Sequence, residues 1–195
     1  MPSFSDSAHH TPANLRPTWA QIDLDALASN FNLVRKHIDR TVKVMAVVKA
    51  NAYGHGAVEC ARRLAAEGAD WFGVALPEEG IELRSAGIER PILCLGGFWR
   101  GQEGACLQNH LTTVAYRLDM LWALNRAAAD AGLVADVHLK IDTGMGRLGI
   151  KPDDVGEFCD SLRSLPNIRV LTPSHVQSVK EGAIALLGIT EHLVV

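Results

Sequence analysis

The chain of 195 residues has only four cysteines, Cys60, Cys94, Cys106 and Cys159, and no CxxC spacing among them. Scattered through apolar surroundings, they exclude a disulfide frame and a zinc site and point to reduced thiols of a cytoplasmic protein. The eight histidines form no HxH or HExxH pattern, so no metal site is expected. Charge of one sign is scarce: the net charge is -3, the pI is about 6.2, and no basic stripe is present. That excludes a nucleic-acid partner. No apolar run approaches the length of a membrane span, so no membrane partner is expected. Residues 1–17 are polar, lack the apolar core of a signal peptide and read as a flexible N-terminal segment. What the chain does have is 48% hydrophobic residues, enough for the core of an ordinary globular domain.

Those hydrophobic residues fall in short runs that alternate with amphipathic stretches. Residues 19–24, 42–48, 71–75, 91–95, 111–115, 135–141 and 168–171 read as strands. Residues 25–36, 57–66, 77–86, 119–131 and 152–162 read as helices. Asp25 is the expected N-cap of the first helix, Pro77 opens the third, and Gly68 and Gly132 stop two others. Continuous apolar strands alternating with helices argue for a parallel sheet. The repeat suits a (β/α) barrel or a doubly wound sheet, and about six units are present where a full barrel typically needs about 250 residues.

Two segments carry chemistry. The first is Val48-Lys49-Ala50-Asn51-Ala52-Tyr53-Gly54-His55-Gly56, in which Lys49 follows a buried strand. An ammonium there loses water, which favours the neutral amine, a nucleophile toward carbonyls. The same placement also fits a lysine whose head reaches solvent. The second segment is His138-Leu139-Lys140-Ile141-Asp142-Thr143-Gly144-Met145-Gly146-Arg147-Leu148-Gly149. Its Gly144-x-Gly146-x-x-Gly149 spacing matches a dinucleotide fingerprint formally, but the helix starts only at Pro152, after the third glycine. The glycines instead suit a tight loop that presents Arg147, whose planar donors fit a phenolate or carboxylate. An ordinary loop salt bridge is the other reading of Arg147. Lys140 alternates with Leu139 and Ile141 and so projects from the opposite face of the strand, which in a barrel is the interior. Carboxyl ends of strands are where α/β barrels do chemistry.

Both segments resemble alanine racemase, a pyridoxal-phosphate (PLP) enzyme of fold-type III, in its N-terminal barrel portion. So does Pro17-Thr-Trp-Ala-Gln-Ile-Asp-Leu-Asp-Ala-Leu-Ala-Ser-Asn30, which resembles the opening segment. The resemblance covers roughly residues 18–168. It implies an incomplete PLP-binding (β/α)8 TIM-type barrel of about six βα units, without the C-terminal β domain. It implies interconversion of L-alanine and D-alanine, the D-alanine supply for peptidoglycan, with pyridoxal 5'-phosphate as cofactor and a homodimer for the full-length family. Lys49 would carry the cofactor and act as one of two catalytic bases. Tyr53 would sit near the cofactor phosphate and Arg147 against its phenolic oxygen. Lys140 would be the lysine the family often carboxylates, its carbamate orienting that arginine. His175 would be the family's active-site histidine, although its context, Leu171-Thr-Pro-Ser-His-Val-Gln-Ser, departs from the family's Thr/Ser-His-Phe-Ala pattern.

The sequence also departs from the family in extent. The opposing tyrosine base, the arginine facing the pyridine nitrogen and most phosphate-binding loops belong to parts not found here. The expected organisation is a flexible segment over 1–17, a partial barrel over 18–170 and a divergent tail, possibly frameshifted, over 171–195. Unpaired strand edges and an aggregation-prone, impaired chain follow as expectations. A racemase of another amino acid and a non-catalytic, single-domain PLP carrier are the alternative functions.

Overall fold

The computed structural model describes residues 20–171 and 192–194. The segment expected over 1–17 lies outside them, as does the tail over 171–195 apart from Leu171 and 192–194. Seven parallel strands form one sheet: β1 (Lys43–Val47), β2 (Trp71–Val74), β3 (Ile92–Cys94), β4 (Leu111–Ala115), β5 (Ala135–Leu139), β6 (Ile168–Val170) and β7 (His192–Val194). Their order is β6-β5-β4-β3-β2-β1-β7. The helices are α1 (Leu24–His37), α3 (Ala57–Ala66), α4 (Pro77–Ser85), α5 (Glu103–Gln108), α6 (Leu118–Asp130) and α7 (Val155–Leu162), with a short helical segment α2 (Lys49–Gly54) after β1.

The helices form where apolar residues recur at helical spacing. In α3, Ala57, Cys60, Ala61 and Leu64 are buried, a spacing of three, four and seven residues that lines one face. Leu121, Leu124 and Ala128 do the same in α6. These faces pack on one side of the sheet, against Val44 and Ala46, Phe72 and Val74, Ile92 and Cys94, Ala135 and Val137. The alternate residues Met45, Leu93 and Val114 form a second, smaller core on the other face, joined by Trp71, Leu95 and Tyr116. Such alternation is the period-two signature of a sheet buried on both sides.

The second face is concave. Three strand spacings separate β2 from β5, roughly 14 Å in a flat sheet. Trp71 of β2 and His138 of β5 nevertheless meet edge to face, with ring centroids 5.6 Å apart and planes at 82°. Gly73 makes room within this face: a Cβ there would lie 3.2 Å from Met45 Sδ and 3.3 Å from Val47 Cγ2 and Leu95 Cδ1. The sheet therefore curls as a barrel wall does, with helices outside and side chains filling the inside.

The structure corrects two expectations. No strand is present in the described part of 19–24, because Leu24 already belongs to α1. The N-cap of α1 is Asp23 rather than Asp25. Its carboxylate accepts from the Asp25 and Ala26 amides at 2.9 Å, and its own backbone is extended, as an N-cap requires. β7 pairs with β1 in parallel, Lys43 with His192 and Met45 with Val194, so among the described residues the open edges fall at β6 and β7. Helix α5 was not anticipated, since six residues give too short a stretch for periodicity to register.

Candidate functional site

Backbone geometry sets Lys49 apart from an ordinary strand-end lysine. Ala50, Asn51, Ala52 and Tyr53 all take the left-handed conformation, with φ of 52°, 55°, 51° and 54°. For non-glycine residues this costs roughly 1–2 kcal/mol each, so the surroundings must hold the turn in place. Four contacts do so. Ala52 N–H donates to the Val48 carbonyl at 2.8 Å, and Gly56 N–H to the Asn51 carbonyl at 3.0 Å. The Asn51 side chain accepts from Ala57 N–H at 2.7 Å and so caps α3 from outside it. His55 Nδ1 lies 2.7 Å from the Ala52 carbonyl. A fifth contact comes from α4, where Glu79 Oε1 accepts from Ala50 N–H at 2.7 Å.

The turn leaves Lys49 half-buried and Tyr53 61% exposed. Lys49 Nζ stands 5.9 Å from the centroid of the Tyr53 ring, within cation–π range. Both lie at the carboxyl end of β1. At the corresponding end of β5, Lys140 donates its amide to the Ala115 carbonyl at 2.9 Å, while Leu139 packs toward the helix layer. Lys140 therefore faces the concave side with His138. Its ammonium is held below the usual lysine range, first by burial and then by the Arg147 and Lys49 cations, with Asp142 opposing them.

Arg147 sits exposed on the loop that follows. Asp142 shapes that loop: its Oδ1 accepts from the Gly144 and Gly146 amides, each at 3.0 Å. These bonds, that of Gly146 first, hold the carboxyl below the usual aspartate range. The loop returns as Ile150 N–H donates to the Lys140 carbonyl and Asp142 N–H to the Ile150 carbonyl, each at 2.8 Å. Gly149 is required at this closure. Its φ is +141°, and a Cβ there would fall 2.5 Å from Asp142 N. The glycine spacing thus serves loop closure, as expected, and not a dinucleotide.

Three of the expected site residues, Lys49, Lys140 and Arg147, lie at one end of the sheet, where the first and last both disfavour the Lys140 ammonium, and Tyr53 joins them through Lys49. His175 lies outside the described residues. The cationic side chains of Lys49, Lys140 and Arg147 at this end suit a ligand carrying phosphate and phenolate groups. A cavity of about 660 Å³ lies between α1 and β1, lined by Leu27, Phe31, Val34 and Leu64 among others. Its walls are largely apolar, and it meets the Lys49 turn at Val48, Ala52, Tyr53 and His55. Glu79 is the residue the sequence reading passed over. Pro77-Glu78-Glu79 marks a helix start, and an acid three residues past the N-cap Leu76 signals a capping role, but nothing in the sequence points it at Ala50.

Fold and site together define an α/β-barrel protein that gathers cationic side chains at the carboxyl ends of its strands. Residues 22–182 match the family model described as the N-terminal domain of alanine racemase, and the chain belongs to that family. The family is PLP-dependent. The alanine racemase of Geobacter sulfurreducens is 47% identical over 153 residues, 78% of this chain and 40% of that protein. That of Halothermothrix orenii is 44% identical over 155 residues, 80% of this chain and 41% of that protein. Among solved structures, alanine racemase of Clostridium difficile 630 superposes with a TM-score of 0.75 at 38% identity, covering 82% of this chain and 42% of that one. The Bacillus anthracis alanine racemase with bound L-Ala-P gives 0.76 at 31% identity, covering 83% and 42%. The chain spans about two-fifths of the length of the curated relatives it matches.

Proposed function

We propose that this chain is the PLP-holding barrel of an alanine racemase, with Lys49 as the cofactor lysine. The observation that carries this reading is the strained left-handed turn that sets Lys49 at the carboxyl end of β1, on the end of the sheet where Lys140 and the Arg147 loop lie. When bound, PLP supplies the electron sink that makes an amino acid's α-proton acidic. Lys49 would hold the cofactor and exchange the α-proton at Nζ on one face of the substrate. Arg147 would face the cofactor's phenolic oxygen with its fixed fork of donors. Tyr53 reaches toward the phosphate. Lys140, whose neutral amine is favoured by its surroundings, is the site of carboxylation, and its carbamate would pair with Arg147. His175 is assigned to the cofactor's surroundings by its sequence position alone.

Racemisation needs a second acid–base group on the opposite face. The sequence has two tyrosines, Tyr53 and Tyr116. The first belongs to the Lys49 turn, and the hydroxyl of the second donates to the Gly96 carbonyl at 3.3 Å. The resemblance to alanine racemase implies a tyrosine as the opposing base, and neither of these two is assigned to that role. A positioned base contributes roughly 10²–10⁴-fold, so this reading expects impaired racemisation by the chain. The same two-tyrosine count supports the second reading, a PLP-binding protein without turnover. Buried Cys60, Cys94 and Cys106 support reduced thiols and a cytoplasmic location.

The test is to add PLP to the purified chain, record the visible absorbance of lysine-bound cofactor, and assay L-alanine and D-alanine interconversion. The expected result is a band abolished by Lys49→Ala, with interconversion weak or absent. A band that survives Lys49→Ala rejects the assignment. Full turnover by the chain alone rejects the impaired form.

A further inference from the structure

We infer that Glu79 is the positioning residue that fixes Lys49 over the barrel mouth, its carboxylate tying the left-handed turn to the end of β2. The inference rests on the reading of Lys49 as the cofactor lysine. Two oxygens of one side chain do separate tasks. Oε2 accepts from the amides of Ala75 at 2.6 Å and Leu76 at 3.4 Å, the backward reach of an acid in the first turn of a helix. Oε1 leaves that helix and accepts from Ala50 N–H at 2.7 Å, 29 residues upstream. Ala50 directly follows Lys49 and is the first residue of the left-handed run.

Pinning that amide fixes the peptide plane on the carboxyl side of Lys49, and with it the direction of the lysine Cα–Cβ bond. It also supplies a charge-assisted bond to a turn that sterics disfavour. The neighbouring Glu78 does not share the task. It is exposed and accepts from Gln102 Nε2 at 2.6 Å. The bridge needs two acceptors on one planar group. A glutamine has the same shape but one acceptor, so its amide nitrogen would face a backbone N–H. Glu79→Gln should therefore break one leg of the bridge without opening a cavity.

The experiment has two arms on the 195-residue chain. In the first, without cofactor, amide hydrogen exchange is measured at Ala50 and Ala75. Loss of one charged hydrogen bond should speed exchange at one or both by roughly tenfold or more in Glu79→Gln. In the second, PLP is titrated and the Lys49-dependent band followed. Affinity should fall roughly tenfold in Glu79→Gln, with the melting temperature of the cofactor-free chain close to wild type and Glu78→Gln behaving as wild type. Unchanged exchange, or raised exchange with unchanged PLP affinity, overturns the inference. Should Glu79→Gln fail to fold, Glu79→Asp keeps the charge but is too short to span both legs, and the same losses are expected of it. A wild-type chain with no Lys49-dependent band rejects the cofactor reading alone, while the exchange arm still decides whether Glu79 anchors the turn.

Discussion

The candidate site is a set of cations whose individual states can be read from solution experiments. Burial and two neighbouring cations hold Lys140 below the usual lysine range. Its reactivity toward an amine acylating reagent should therefore rise at lower pH than an ordinary lysine's, and bicarbonate should carboxylate it. Residue-resolved labelling followed by mass spectrometry measures this, and a profile at the ordinary lysine pH contradicts it. Asp142 behaves in the opposite sense. Its carboxyl is depressed in the folded loop by the Gly146 and Gly144 amides, so folding favours the ionised form. That contribution is complete above the unfolded aspartate pKa, about 3.9, and is lost as pH falls through the lowered folded value. Amides of residues 143–147 should lose exchange protection on acidification, and Asp142→Asn should remove that acid dependence. Gly149→Ala forces a Cβ against Asp142 N at a φ of +141°. A loss of about 2 kcal/mol or more is expected, read as a fall in melting temperature. Lys49, Tyr53, Lys140 and Arg147 could be nominated from the sequence because their motifs are local, and the structure sets them at one end of the sheet. Glu79 was not, because its partner is 29 residues away and only the fold brings the two together.

Strands and helices followed from pattern wherever one face is buried. Val44 and Ala46 face the helices while Met45 faces the concave side, and such a strand reads as a continuous apolar run. Phe72 is fully buried in the helix-facing core, and Phe72→Ala should cost about 3–5 kcal/mol. Chemical denaturation measures it, and a cost below about 1 kcal/mol would contradict the placement of β2. The opening segment misled because its Trp-Ala-Gln-Ile-Asp-Leu alternation imitates a strand. Capping decides it: Asp23 takes two amides and the helix starts at Leu24. The left-handed turn escaped detection for a related reason. Ala50, Asn51, Ala52 and Tyr53 carry no signal for positive φ apart from the asparagine, and contacts from Val48, Asn51, His55 and Glu79 hold that conformation.

At the scale of the molecule, the sheet is a curled wall with its cations on one rim. The expectation of a barrel wall held because strand order follows sequence order from β1 to β6, as successive βα units require. Its curvature was not legible, since the Trp71–His138 contact across the concave face depends on how three intervening strands twist. Nor was the pairing of β7 with β1, because a three-residue strand carries no pattern of its own. The central claim is that this rim holds PLP through Lys49. The most direct measurement is to incubate the chain with PLP, reduce with borohydride, digest, and locate the pyridoxyl group by mass spectrometry. The account predicts the label on Lys49 at near one equivalent, with Lys49→Ala unlabelled. Label spread over exposed lysines, or equal labelling of Lys49→Ala, would contradict it.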